Sequence, residues 1–311
     1  MTTDPSVGSR VVLRYRLPEG YSHPMTDVIG ELLSLDPPTV RTANGETVRV
    51  AADRVVALKT LGPRPIRTSE IRNLEIAAAD GWPGTEQEWV DGWLLRSGAG
   101  FTGRANSAAP LESSADTSSL DRIRKWYADR GLGVRLLLPD RLGTVPPGWQ
   151  TWDEVHVLAA DIANVPLPDG PAMATITSEP GSDWLSLYRY RGSVPPPEAI
   201  EVLTAVRSGV LGFGQLGGVG GYPLAIARAA VTTAPDGRRW VGLTAVEVAK
   251  EHRRHGLGTL LCARMIRWGK EHGATHAYLQ VAVDNRPAVA MYRAIGFMEH
   301  HRYRYAAPAE A

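Results

Sequence analysis

Arg253-Arg254-His255-Gly256-Leu257-Gly258 stands between the apolar run Val241-Gly242-Leu243-Thr244-Ala245-Val246-Glu247-Val248 and the helix-patterned Thr259-Leu260-Leu261-Cys262-Ala263-Arg264-Met265-Ile266-Arg267-Trp268. This order predicts a strand that enters a helix N-terminus through a glycine-bearing turn. Side chains at 256 and 258 would crowd an approaching anion, and the first helical turn carries amide N–H groups with no intrahelical partner. A pyrophosphate would satisfy them. The same letters also spell a plain glycine-punctuated turn, so the motif needs company.

The company lies downstream. Tyr278-Leu279-Gln280-Val281-Ala282-Val283 reads as a second strand, followed by Asp284-Asn285-Arg286-Pro287-Ala288-Val289-Ala290-Met291-Tyr292-Arg293-Ala294-Ile295-Gly296-Phe297. The full order, V-x-x-x-x-R-x-x-G-x-G, helix, strand, then N-x-x-A-x-x-x-Y-x-x-x-G-F, resembles the GNAT superfamily of acyl-CoA-dependent N-acetyltransferases over about residues 206 to 307. The resemblance implies an α+β fold with a central mixed sheet flanked by helices, acetyl-CoA as co-substrate, no metal, and a primary amine of a small molecule or protein as acceptor.

The resemblance also assigns roles. The strand end Val246 and Val248 would splay from its neighbour and pair with the pantetheine arm, with the Val248 N–H facing the thioester oxygen. Arg253, Arg254, His255, Gly256, Leu257, Gly258 and Thr259 would receive the pyrophosphate. Asn285 would hydrogen-bond the pantetheine arm, and it is also an ordinary helix N-cap before Arg286-Pro287. Tyr292 would protonate the departing thiolate, or else it is an aromatic packed under the sheet. The general base is the gap: the positions that carry it in many family members are Gly242 and Thr244 here, and neither can take a proton. Glu247 is the nearest acid, but strand alternation turns it away from Val246 and Val248 unless a bulge intervenes. It is therefore a candidate base or a charged anchor for a neighbouring element, with a water chain or a residue from 66–205 as an equal alternative for the base. His252 and His255 read as phosphate neighbours or solvent-facing residues.

Composition narrows the class. In 311 residues, 43% hydrophobic, 34 Lys plus Arg stand against 33 Asp plus Glu, so no global charge draws the chain to nucleic acid or an anionic membrane. No stretch approaches the ~20 apolar residues of a membrane span. The single Cys262 can form no internal disulfide, which fits a reducing cytoplasm, and nothing near it in sequence would make it a nucleophile. A covalent acetyl-enzyme is not expected.

Three regions are expected. Residues 1–62 hold about five short strands, at 10–16, 27–35, 38–42, 46–50 and 55–59, with Asn44-Gly45 as a two-residue hairpin turn. Their rhythm resembles an SH3-like barrel, and Arg10, Arg14, Tyr15, Arg16, Arg41 and Arg49 could form a basic face on it. Pro63-Arg64-Pro65 reads as a linker. Residues 66–205 mix a helix from Thr68, a hairpin of 92–97 with 101–107 around Gly98-Ala99-Gly100, a helix at 120–127 and a strand at 134–138. They read as a degenerate GNAT-like half of a tandem, or as an unrelated α/β substrate domain. Residues 206–311 form the catalytic domain. The Gly-rich 209–221 contains G-x-G-x-x-G, but the following Gly218, Gly220, Gly221 and Pro223 forbid the helix a dinucleotide site needs, so it reads as a flexible connection or mobile loop. Against the enzyme stands one rival, an acyl-CoA-binding sensor that has lost catalysis.

Overall fold

The computed structural model describes residues 4–62, 64–167, 174–190, 192–217 and 222–309. Pro63 of the expected linker and Gly218, Gly220 and Gly221 lie outside these residues. The chain divides into two compact units, residues 1–65 and 66–311.

In the first unit, β1 (Arg10–Arg16), β2 (Met25–Leu35), β3 (Pro38–Thr42), β4 (Thr47–Arg49) and β5 (Val55–Thr60) form an antiparallel sheet ordered β4-β3-β2-β1-β5. Alternation drives it: Val11 and Leu13 of β1 point inward with Val28, Leu32 and Val40. The β3–β4 turn departs from the two-residue form. Gly45 N–H bonds to the Thr42 carbonyl, Thr42 N–H bonds to the Glu46 carbonyl, and Gly45 but not Asn44 has positive φ (+86°). This is a longer turn closed by a left-handed glycine. The expected basic face is partly neutralised within the unit, since Arg14 grips Asp27 through two bonds of 2.7 and 2.8 Å and Arg41 reaches Glu31 at 2.7 Å.

The second unit runs α1 (Thr68–Gly81), β6 (Glu86–Val90), β7 (Trp93–Ser97), β8 (Ala109–Pro110), α2 (Leu120–Ala128), β9 (Leu136–Pro139), β10 (Trp149–Asp161), β11 (Ala174–Thr177), α3 (Ser182–Leu187), α4 (Ala199–Thr204), β12 (Val210–Gly217), β13 (Pro223–Thr233), β14 (Arg239–Val248), α5 (Leu257–Glu271), β15 (His276–Ala282), α6 (Arg286–Ala294) and β16 (Met298–Pro308). Eight strands form one sheet, ordered β11-β12-β13-β14-β15-β10-β16-β9, in which β14 and β15 are parallel and the other neighbours antiparallel.

This topology bears on the expected boundary at 205/206. The large sheet draws strands from both sides of that point, with β10 seated between β15 and β16. Residues 66–205 have only the small sheet β6-β7-β8 to themselves. The hairpin is also placed differently: β7 pairs with β6 across Asp91-Gly92, and 101–107 is not a strand. There the Asn106 side chain accepts from the Gly98 and Gly100 amides and donates to the Phe101 and Thr102 carbonyls, satisfying backbone groups that a ladder would otherwise pair.

Helix α5 covers one face of the sheet with Leu261, Cys262, Met265 and Ile266 fully buried, each large side chain contributing about 1.5–3 kcal/mol. Over Val210–Gly217 the Gly-rich segment is strand β12, not a flexible connection, and its remainder from 218 to 221 lies outside the described residues. An added Cβ at Gly212 would lie 2.8 Å from the Trp268 ring, and one at Gly214 would lie 2.2 Å from Met265 Sδ, so these glycines let α5 lie close to the sheet. Helix α1 covers the opposite face with Leu74, Ala77 and Ala78, and its buried Glu75 meets His301 of β16 at 2.9 Å. Among the described residues no helix is long and apolar enough to cross a membrane.

Candidate active site

The parallel ladder of β14 and β15 pairs Trp240 to Leu243 with His276 to Leu279 and stops there. Beyond that point β14 diverges because it carries a bulge. Its partner β13 sets Arg228 against Thr244 and Ile226 against Glu247, two steps against three, and Ala245 takes a φ of +50°. Ala249 N–H bonds to the Leu224 carbonyl, which makes Ala225 and Val248 a non-hydrogen-bonded pair. The N–H and C=O of Val248 therefore point away from β13, into the splay.

A cleft of about 810 Å³ opens along this splay. Val246, Glu247 and Val248 form one wall, Arg253, Arg254, Gly256, Leu257, Gly258 and Thr259 the floor, and Asn285 and Tyr292 the other wall. Of the residues the sequence singles out for the cofactor, His255 alone does not line it; its side chain is exposed. The first bond of α5 runs from Leu260 N–H to the Gly256 carbonyl, so the amides of Leu257, Gly258 and Thr259 precede the ladder. Gly256 caps the helix at φ +77° with nothing within 4 Å of an ideal Cβ. Gly258 differs, since a Cβ there would sit 3.1 Å from Met291 Sδ and 3.5 Å from Val248 Cγ2. A bulky residue at 258 thus presses on α6 as well as on the anion path, and the two glycines are not equivalent tests. Arg253 is tied back to the strand end, with Nε donating to the Val248 carbonyl at 3.1 Å and Nη2 lying 3.8 Å from Glu247 Oε2.

On the far wall, the Asn285 carboxamide oxygen accepts from Ala288 N–H and caps α6, with Pro287 in the first turn. Tyr292 is 7% exposed, its ring set edge-on to Phe297 at 6.2 Å, and its hydroxyl has no hydrogen bond among the described residues. Burial, with Cys262 and Glu247 adding to it, holds its phenol well above the usual range, so it stays protonated. The Cys262 thiol, fully buried, is pushed up to about 12 and is no nucleophile at neutral pH.

The bulge settles the alternation of Glu247. Because Arg228 and Ile226 point to one face of β13, their partners Thr244 and Glu247 share that face, the α1 side. Gly242 lies two residues before Thr244, and a Cβ there would fall 2.3 Å from the Tyr278 ring, so the ring fills the space a base would need. Glu247 is half-buried, and burial raises its pKa while Arg253 and Arg189 pull it down. It borders the cofactor cleft and adds slightly to the rise that burial imposes on the Tyr188 phenol, which lines a separate cavity behind the bulge.

Sequence reasoning missed the groups that hold this geometry. Arg228 is fully buried, and its guanidinium donates to the carbonyls of Gly81 (2.9 Å), Leu203 (2.7 Å) and Ala205 (2.8 Å) and to Thr244 Oγ1 (3.3 Å). It therefore binds the C-terminal ends of α1 and α4, where the helix dipoles are negative, and fixes the strand beside the bulge. Desolvation brings it down to about 9. A lone arginine in an apolar strand was the available signal.

The comparisons agree with this architecture. Residues 68–306 match the family described as probable histone acetyltransferase Rv0428c C-terminal, and residues 5–59 match the Rv0428c N-terminal Sm-like domain. The probable histone acetyltransferase Rv0428c of Mycobacterium tuberculosis is 42% identical over 307 residues, covering 98% of this chain and 96% of the relative. The uncharacterized N-acetyltransferase YobR of Bacillus subtilis is 27% identical, covering 76% of this chain and 98% of the relative. Among solved structures, a GCN5-related N-acetyltransferase from Kribbella flavida aligns with a TM-score of 0.54 at 19% identity, covering 77% of this chain and 96% of that one.

Proposed function

The chain belongs to the Rv0428c family of GNAT-type N-acetyltransferases, and from that premise we propose that it transfers an acetyl group from acetyl-CoA directly to a primary amine. The observation that carries this reading is the single cleft in which the splayed edge at Val248, the first-turn amides of α5 and the phenol of Tyr292 converge. In the proposed division of labour, residues 206–311 hold the donor, residues 66–205 wall the acceptor, and residues 1–62 form a separate module.

The residues would act as follows. Amides 257–259, with Arg254, receive the pyrophosphate, and Val246, Val248 and Asn285 hold the pantetheine arm. The donor supplies an acetyl carbon activated as a thioester. Glu247 takes a proton from the acceptor, directly or through water, as the nitrogen lone pair forms the C–N bond. The Val248 N–H stabilises the oxygen on which charge develops. As the C–S bond breaks, Tyr292 gives its phenolic proton to the sulfur, and solvent exchange restores both groups. Burial suits each to its role, since a raised carboxylate is a stronger base and a raised phenol stays loaded with its proton.

The test is calorimetric titration with acetyl-CoA followed by free-thiol release over a panel of primary amines. Binding with amine-dependent release supports the enzyme. Binding with no release over the whole panel supports the sensor reading, and no binding overturns both.

A further inference from the structure

Behind the bulge, on the α1 side, lies a cavity of about 170 Å³ walled by Trp82, Arg104, Tyr188, Tyr190, Ala245 and Tyr305. A second cavity, of about 150 Å³, shares Thr102, Gly103, Tyr190 and Tyr305 with it and adds Arg135, Trp152 and Asp153 among others. We propose that these joined cavities receive an acceptor that carries a carboxylate as well as its amine, the carboxylate held by Arg104 and Arg135 and the amine directed to Glu247. The proposal rests on the acetyltransferase reading and deepens it.

The arginines carry the argument. Arg104 is half-buried, spends Nη1 on Gln280 Oε1 at 2.6 Å, and has no carboxylate partner among the described residues. Arg135 is half-buried, and its guanidinium makes no hydrogen bond or ion pair among those residues. Such guanidinium groups keep unused donors in a fork that matches a carboxylate. Arg189 also lines the wall, its Nη1 donating to the Ser186 and Tyr188 carbonyls, and adds a third positive charge to the cavities. Asp153 is the acid in the lining against Arg104, Arg135 and Arg189, so arginines outnumber carboxylates over the two cavities together and the space is net positive.

The aromatic walls do not make a cage for a cation. Both Arg228 (4.6 Å) and Arg104 (5.2 Å) already sit over the Trp82 ring, and Arg135 lies over Trp152 (5.8 Å) and Tyr305 (5.9 Å). An incoming ammonium would find those faces taken and like charge beside it. Toward the donor the sign reverses, since Glu247, two residues on from the cavity-lining Ala245, borders the cofactor cleft. With an acid beside the acetyl donor and a net excess of arginine across the cavities, the space fits an amino acid with its amine leading.

The experiment uses the full chain, acetyl-CoA, and a panel of α-, β- and ω-amino acids each paired with its methyl ester, read by thiol release. At least one acid is expected to exceed its ester in kcat/KM by roughly ten- to a hundredfold, because the ester leaves the arginines unpaired. Arg104→Met and Arg135→Met should each raise KM for that acid about tenfold or more while leaving kcat, the ester's KM and acetyl-CoA affinity within about twofold. Arg104→Lys should restore part of the loss, which separates charge from packing. Esters accepted as well as acids, or a polycationic peptide preferred to every acid, would overturn the proposal, as would a loss confined to kcat. If acetyl-CoA binds but no amine is acetylated, the enzymatic reading fails on its own. Calorimetry of the same acids and esters with the acetyl-CoA complex then decides the carboxylate site, acid-selective binding supporting it and its absence refuting it.

Discussion

Replacing Tyr292 by Phe separates chemistry from packing with the smallest perturbation available, the removal of one oxygen. The hydroxyl has no hydrogen bond among the described residues, and the edge-on contact of the ring with Phe297 survives the change. No bond is lost, so unfolding free energy should stay within about 0.5 kcal/mol and the melting temperature within about 2 °C. If the phenol supplies the proton to the departing sulfur, turnover should fall roughly ten- to a thousandfold, about 1.4–4 kcal/mol of barrier, with acetyl-CoA affinity nearly unchanged. The assays are steady-state thiol release, calorimetry with acetyl-CoA, and thermal unfolding, all on one preparation. Wild-type turnover in a folded variant would refute the acid role. A melting temperature lowered by more than about 5 °C would show instead that the hydroxyl is structural.

Glu247→Gln should lower kcat/KM about a hundredfold at neutral pH. Because burial raises the Glu247 pKa and the base must be ionised, the acid limb of the wild-type profile should lie above the ordinary carboxylate value of 4.5, and the variant should lose that limb. A raised carboxylate pKa also means that ionisation costs the folded state, so at pH 7 the variant should be at least as stable as wild type by urea unfolding. Gly256→Ala meets no neighbouring atom but strains a φ of +77°, so it should cost about 1–2 kcal/mol of stability and weaken acetyl-CoA binding about tenfold, both read by titration. Arg228→Met leaves two buried carbonyls and one half-buried carbonyl without their donor and should destabilise by on the order of 3 kcal/mol in urea unfolding. A 66–311 fragment should fold and bind acetyl-CoA; a folded fragment that fails to bind would implicate the first unit in the cofactor site.

What the sequence made legible was local. The strand, turn and helix around Gly256, the cap at Asn285 and the placement of Tyr292 on α6 depend on neighbours within a turn or two. Glu247 was ambiguous because its facing depends on an extra residue at Ala245, and a bulge leaves no mark in composition. The run from Val210 to Gly217 hid a strand because its glycines answer to Trp268 and Met265, more than forty residues away. Segment 101–107 has strand-like letters but spends its backbone groups on Asn106. The two cavities behind the bulge could not be read at all, since Arg104, Arg135, Tyr190 and Tyr305 meet only after the chain has closed on itself.

The seat of β10 has a consequence for synthesis. As the chain emerges from the ribosome, the segment 149–161 appears with neither neighbour made, and it must wait for 276–282 and then 298–308 before both of its edges are covered. Until then it offers two unpaired edges to other chains, a hazard that holdase chaperones exist to cover. Its sequence blunts that hazard in part, because Asp153 and Glu154 put charge in the middle of the strand. A product that stops before residue 298 would leave one edge of β10 bare, so release in a soluble state becomes a check that translation reached the last strand.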